Sequence, residues 1–168
     1  KDSELPGVET SAGSLGQGLG IAIGMALSAK MDDKNYRTYC VMGDGELQEG
    51  SVWEAAMAAS NYRLDNLCAI IDRNRLQIDG STESVMALEP LDEKWTSFGW
   101  NVVEIDGHDH NDIVDAFDVA RATKGQPTLI LANTIMGKGV RSIENDNKWH
   151  GKVPTKEKLI DFLNELEK

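Results

Sequence analysis

Positive charge is in short supply: 17 lysines and arginines face 28 aspartates and glutamates, leaving −11 at neutral pH. A chain of that sign lacks the phosphate-neutralising contribution that drives unspecific nucleic-acid binding, and anionic membrane surfaces repel it. Cysteine is nearly absent, with Cys40 and Cys68 making up the 2. Both fall inside apolar runs that read as buried strands, and their spacing matches no metal-ligand motif. Two reduced, buried thiols are expected, and a cytoplasmic address follows from them. No apolar run reaches membrane-spanning length, and no signal peptide opens the chain. The dinucleotide fingerprint is missing too: GQGLG at 16–20 has the wrong spacing, and no strand precedes it. There is no internal repeat, no low-complexity tract and no sign of a second domain.

What is present is a 168-residue chain that is 40% hydrophobic, enough for one domain with a real core. After a polar loop over 1–13, Ser14 to Lys30 has helical period, with Leu15, Leu19, Ile23 and Leu27 on one face. Gly16, Gly18, Gly20 and Gly24 fall within it. A glycine in a helix interior costs up to ~1 kcal/mol relative to alanine, so close packing or a close ligand is expected to require them. Strands are predicted at Thr38–Met42, Leu67–Asp72, Asn101–Ile105 and Thr128–Thr134. Helices are predicted at Ser51–Tyr62, Leu91–Phe98, Asn111–Thr123 and Thr155–Lys168, the last with Leu159, Phe162, Leu163 and Leu166 on one face. Gln77–Ser84 and Gly137–Val153 read as loops. Strands alternating with helices at this spacing mean an α/β fold: a doubly wound parallel sheet with helices on both faces, its strands covered on both sides.

The chemistry concentrates in Gly43–Leu76, GDGELQEGSVWEAAMAASNYRLDNLCAIIDRNRL. A strand, an acidic turn, a helix and a second strand would bring Asp44 and Asn74 to one edge of the sheet, where open α/β folds bind ligands. Asp44 offers a charged oxygen, Asn74 a neutral amide oxygen and Leu76 a backbone carbonyl. That is a hard-oxygen set suited to Mg²⁺ or Ca²⁺ holding a diphosphate. Gly43 and Gly45 would let the backbone turn sharply and approach the ligand. A lone Gly-Asp-Gly is an ordinary turn; the flanking strands and the Asp-x-Asn beyond them give this one its meaning.

The stretch resembles the thiamine diphosphate motif, and with TSAGSLGQGLGIAIGMALSAK before it and NKWHGKVP after it the chain resembles the transketolase family from Pro6 to Pro154. The resemblance implies the diphosphate-binding, amino-terminal half or subunit of a split transketolase, with thiamine diphosphate and Mg²⁺ or Ca²⁺ as cofactors. Asp44, Asn74 and the Leu76 carbonyl match its metal ligands, and Gly45 a backbone contact to the diphosphate. Gly13, Ser14 and Leu15 match the segment beside the aminopyrimidine; many members have proline where Ser14 stands. Glu49 matches a carboxylate that meets the partner's activating glutamate; without the resemblance it reads as a first-turn residue favoured by the helix dipole. His150 matches the histidine near diphosphate and substrate, although a lone histidine in a polar loop is usually solvated.

The resemblance also implies sugar phosphate substrates and a carboxy-terminal partner chain in an α2β2 assembly. Lys1 to Gly7 reads as mid-domain loop, so an upstream segment is expected to be missing; without the family's upstream channel histidines and the activating glutamate of its following domain, the chain is expected to be inactive alone. Deoxyxylulose-phosphate synthase, the α chain of a 2-oxoacid dehydrogenase and a non-catalytic module of the same fold are the competing readings; GDGELQEGSVWEA and WHGKVP favour transketolase over the enzymes. His108 and His110 suggest a metal cluster, but a helix capped by Asp109 or Asn111 is the simpler account. Lys138 reads either as a phosphate-reaching residue or as an exposed loop lysine, and Gly80 as loop without chemistry.

Overall fold

A computed structural model describes residues 5–167; the first four positions and Lys168, which the predicted loop and last helix include, lie outside the described residues. The elements are α1 (Gly18–Met31), β1 (Thr38–Gly43), α2 (Gly50–Asn61), β2 (Leu67–Arg73), β3 (Leu76–Gln77), β4 (Gly80–Ser81), α3 (Thr82–Val85), α4 (Leu91–Ser97), β5 (Asn101–Asp106), α5 (His110–Ala122), β6 (Thr128–Asn133) and α6 (Lys156–Leu166). Short 3₁₀ turns occupy Gly45–Gln48 and Asn147–Trp149.

Four strands form a parallel sheet in the order β1-β2-β6-β5, with Gly43 level with Asp72 and Arg73 level with Asn133. Alternation along β2 sends Leu67, Ala69 and Ile71 to one face, where α1, α2 and α4 cover them; Cys68 and Ile70 face Ala116, Ala120 and Phe117 of α5. The doubly wound α/β fold is therefore as expected. Small side chains allow the close fit: Ala55, Ala56 and Ala59 of α2 are buried beside Ala22 and Ala26 of α1. An aromatic layer closes this side, with Trp95 against Trp53 at 5.4 Å and edge-on to Trp100 at 4.9 Å between ring centres. The indole N–H of Trp100 donates to the Ala56 carbonyl at 2.9 Å, so that tryptophan locks α2 to the entry of β5. Both cysteines are free and buried, which pushes their thiols up to about 11 at Cys40 and about 12 at Cys68.

Several expectations are corrected. The first helix begins at Gly18 rather than Ser14, because Gly16 takes φ +80° and a left-handed residue ends helical propagation. Leu15 is consequently outside the helix and exposed. Crowding does not explain the other glycines: a Cβ on Gly20 or Gly24 would meet nothing within 4 Å, and one on Gly18 would make ordinary contact with Cys40 Sγ at 3.5 Å. Gln77–Ser84 is not all loop, since Leu76–Gln77 pairs antiparallel with Gly80–Ser81 and Ser81 caps α3. Strand β1 is fully covered on one face; on the other, Tyr39 meets Phe117 of α5 edge-on but Val41 is 73% exposed. The apolar face of α6 is not core: Leu159, Leu163 and Leu166 stay half-exposed, while Phe162 meets Trp149 edge-on at 5.4 Å. Among the described residues, no helix is long and apolar enough to cross a membrane.

Candidate active site

Asp44 leaves the end of β1, and its backbone N–H donates to the Asp72 carbonyl at 3.2 Å, extending the β1–β2 ladder by one residue. Its side chain is buried at 1% exposure. Oδ1 accepts from Gly45 N at 2.8 Å; Oδ2 accepts from Arg75 N at 2.6 Å and from Arg73 Nη1 at 3.0 Å. Burial pushes the Asp44 carboxyl above its ordinary range, opposed by these donors. Asn74 stands one residue beyond β2. Its Oδ1 accepts from Leu76 N at 2.9 Å and its Nδ2 donates to Asp72 Oδ1 at 3.3 Å. Asp72 is in turn hydrogen-bonded by the Thr134 hydroxyl at the end of β6. The amide is thereby oriented, and Arg75, at φ +66°, turns the chain so that the backbone N–H groups of 75 and 76 serve the two side chains in succession.

Asp44 and Asn74 are not bonded to each other. Among the described residues, each keeps an oxygen with a single donor, Oδ1 in both cases, at the ends of adjacent parallel strands. One buried carboxylate oxygen and one amide oxygen with spare lone pairs are the donor chemistry that Mg²⁺ or Ca²⁺ takes, so these residues fit a divalent cation. Gly43 has open space over it, whereas a Cβ on Gly45 would come within 3.2 Å of Gln77 Cβ. At Gly45 the small residue thus makes room for the hairpin.

The loop carrying Gly13, Ser14 and Leu15 is exposed and reaches this turn through its neighbour. Gly16 N donates to Glu46 Oε1 at 2.9 Å, and Ser51 Oγ donates to the Gly16 carbonyl at 3.0 Å. A Cβ on Gly16 would lie 2.6 Å from Ser51 Oγ and 2.8 Å from Glu49 Cβ, in a backbone conformation that side chains rarely adopt. Gly16→Ala is expected to cost about 1–3 kcal/mol in chemical denaturation. It should also loosen residues 13–15, seen as faster amide hydrogen exchange in that loop; unchanged exchange would show that the tether serves overall stability alone. Motif reasoning passes over Glu46 and Ser51; Gly16 stands out in the sequence only as one of four glycines in a helical stretch, not as the left-handed one.

Glu49 precedes α2 with an exposed side chain that makes no capping bond, so it is free to face another chain. His150 follows the Asn147–Trp149 turn and is exposed; Asn147 Nδ2 donates to the Ile78 carbonyl at 2.9 Å, joining this loop to the hairpin that begins at Leu76. His108 and His110 do not form a metal cluster: His108 Nε2 accepts from Ile135 N at 2.8 Å, and Asp109 caps α5. Lys138 is exposed and lines a polar cleft with Glu104, Asp106 and Asp112, on the β5–β6 side of the sheet edge. Arg73, passed over by motif reasoning, proves to be buried at 1% exposure.

The family profile for the transketolase thiamine diphosphate binding domain matches residues 2–165. The chain is 50% identical over 163 residues to an apulose-4-phosphate transketolase subunit of Phocaeicola vulgatus, covering 97% of this chain and 58% of the relative. It is 46% identical over 162 residues to a 6-deoxy-6-sulfo-D-fructose transketolase subunit of a Clostridium species, covering 96% of this chain and 59% of the relative. The fold matches the crystal structure of Campylobacter jejuni transketolase with a TM-score of 0.81 at 28% identity, over 99% of this chain and 30% of that one. The chain thus spans less than two-thirds of the relatives it resembles. With the match running almost end to end and the Asp44–Asn74 geometry at the sheet edge, the chain belongs to the transketolase family, as its thiamine diphosphate-binding domain.

Proposed function

We propose that this chain holds the diphosphate end of thiamine diphosphate in a split transketolase, which transfers a two-carbon ketol unit from a ketose phosphate to an aldose phosphate together with a carboxy-terminal partner chain. The observation that carries the reading is the buried Asp44 carboxylate beside Asn74, at the ends of neighbouring parallel strands. Asp44, Asn74 and the Leu76 carbonyl would hold Mg²⁺ or Ca²⁺, with the Gly43–Gly45 turn against the diphosphate. Gly13, Ser14 and Leu15 would line the aminopyrimidine side, held by the Gly16 tether. When bound, the cofactor supplies the electron sink that stabilises the two-carbon unit.

The chain's own groups bind and orient. An acidic protein must neutralise a diphosphate locally, and the cation does this where Asp44 is fixed. His150 would donate a hydrogen bond, or stand as a cation, beside phosphate and the hydroxyls of the donor sugar. Glu49, exposed and uncommitted, would meet the partner's activating glutamate across the interface. The assembly proposed is α2β2, in the cytoplasm. The named relatives act on apulose-4-phosphate and 6-deoxy-6-sulfo-D-fructose, so the donor panel should extend beyond common pentose and hexose phosphates.

Titration calorimetry of thiamine diphosphate into the assembled protein, with and without Mg²⁺, tests the reading. Binding that requires the cation, with ketol transfer from a ketose phosphate and none from pyruvate, is expected. Cation-independent binding or pyruvate as donor would overturn it.

A further inference from the structure

Arg73 leaves β2 on the same face as Leu67, Ala69 and Ile71, placing a charge at the end of a core row. A buried guanidinium is tolerated only when most of its hydrogens find acceptors. Nη1 donates to Asp44 Oδ2 at 3.0 Å and to Thr82 Oγ1 at 2.7 Å. Nη2 donates to Glu83 Oε1 at 3.0 Å and to Glu89 Oε1 at 2.7 Å. Nε is the one nitrogen of the group without an acceptor among the described residues. One planar group therefore joins the acidic turn after β1 to α3 and to the segment that leads into α4. The Glu89 carboxyl is held below its ordinary range chiefly by this guanidinium.

The bonds settle how Asp44 is presented. Oδ2 is occupied twice, by Arg73 and by Arg75 N, and Gly45 N restrains Oδ1 from one side. A carboxylate fixed by three donors cannot swing, and its spare lone pair is left on Oδ1. We infer that Arg73 is a positioning residue: it sets the plane of the Asp44 carboxylate so that Oδ1 is offered to the divalent cation, and it links that setting to residues 82–89. The inference rests on Asp44 being a metal ligand. Lysine could not replace it, because a compact ammonium has no planar fork to span four acceptors.

The test uses the whole protein assembled with its partner and Mn²⁺ as the probe, with thiamine diphosphate present. Mn²⁺ affinity and the paramagnetic resonance line shape of the bound ion are measured for Arg73→Met, Arg73→Lys and Asp44→Ala, alongside the thermal midpoint without cation. Arg73→Met is expected to weaken Mn²⁺ binding by about 10- to 100-fold and to alter the line shape, with Arg73→Lys recovering only part of the loss. A merely structural arginine would lower the thermal midpoint and leave affinity and line shape unchanged in the folded protein; that result overturns the inference. If Arg73→Met does not fold, Thr82→Val removes a second acceptor of Nη1 without touching Asp44. A loss of about two- to fivefold is expected there, and no loss overturns the inference. Unchanged binding in Asp44→Ala would bring down the ligand reading itself, whereas loss in Asp44→Ala with none in Arg73→Met brings down only the positioning role.

Discussion

Asp44→Ala is expected, on the proposed metal-ligand reading, to weaken Mg²⁺-dependent binding of thiamine diphosphate by at least about 100-fold, since removing a ligand should exceed the loss from removing a residue behind it. The variant also takes the acceptor from Gly45 N, Arg75 N and Arg73 Nη1 at once. Breaking a buried pair by deleting one partner typically costs about 3–5 kcal/mol. Here the loss should fall toward or below about 3 kcal/mol, because the guanidinium keeps Thr82, Glu83 and Glu89. Asp44→Asn separates the two effects. It keeps the shape and one acceptor oxygen while removing the charge the cation needs, so binding should fall as in the alanine variant with less loss of fold. Calorimetry beside circular dichroism checks both. A folded Asp44→Asn protein that binds cofactor and cation normally would refute the assignment.

The largest loss of stability is expected from Trp95→Ala. Trp95 is fully buried and packs on Trp53 and Trp100, and truncating a tryptophan in such a core costs about 3–5 kcal/mol. That is a large share of the roughly 5–15 kcal/mol by which a domain is stable. The loss should lie at the lower end, because the buried Nε1 of Trp95 has no hydrogen-bond partner among the described residues and its removal relieves an unsatisfied donor. Trp95→Phe should therefore lose much less, keeping an aromatic ring without the stranded N–H. Urea midpoints with unchanged slope would give both values. Equal losses in the two variants would show that the fit of the whole indole, rather than aromatic contact with Trp53 and Trp100, dominates.

These expectations could be framed because parts of the molecule are plain in its residue order. Thr38–Met42 and Leu67–Ile71 are short apolar runs with turn residues beyond them, and a run bounded in that way has few alternatives to a strand. Gly43-Asp-Gly45 and Asn74 then fall at strand ends by arithmetic. Residue order shows which face of an element is apolar and not what covers it. Hence the shared face of Leu159, Leu163 and Leu166 is plain in the sequence while its half-exposure is not, and the open side of β1 at Val41 is likewise hidden. Networks are hidden for a different reason. Arg73 bonds to residues at 44, 82, 83 and 89, and no local period connects those positions. Gly16 lay between: of the four glycines at 16, 18, 20 and 24, it is the one at which backbone conformation and crowding both demand the residue, and the other three concealed it.

The indole N–H of Trp53 donates to the Leu47 carbonyl at 2.8 Å, and Trp53 itself packs on Trp95 and Phe98. The turn that follows Asp44 is thus nailed to the aromatic layer. Ordering that turn is a cost already met when the core forms, so it does not weaken the ligand's arrival. Residues 13–15 and His150 are exposed on loops tied to this region through Gly16 and Asn147 rather than through an indole of the core. On the proposed reading, entropy should therefore divide the encounter unequally, with the cation and diphosphate received at a preorganised turn and the exposed loops ordered only as the ligand binds.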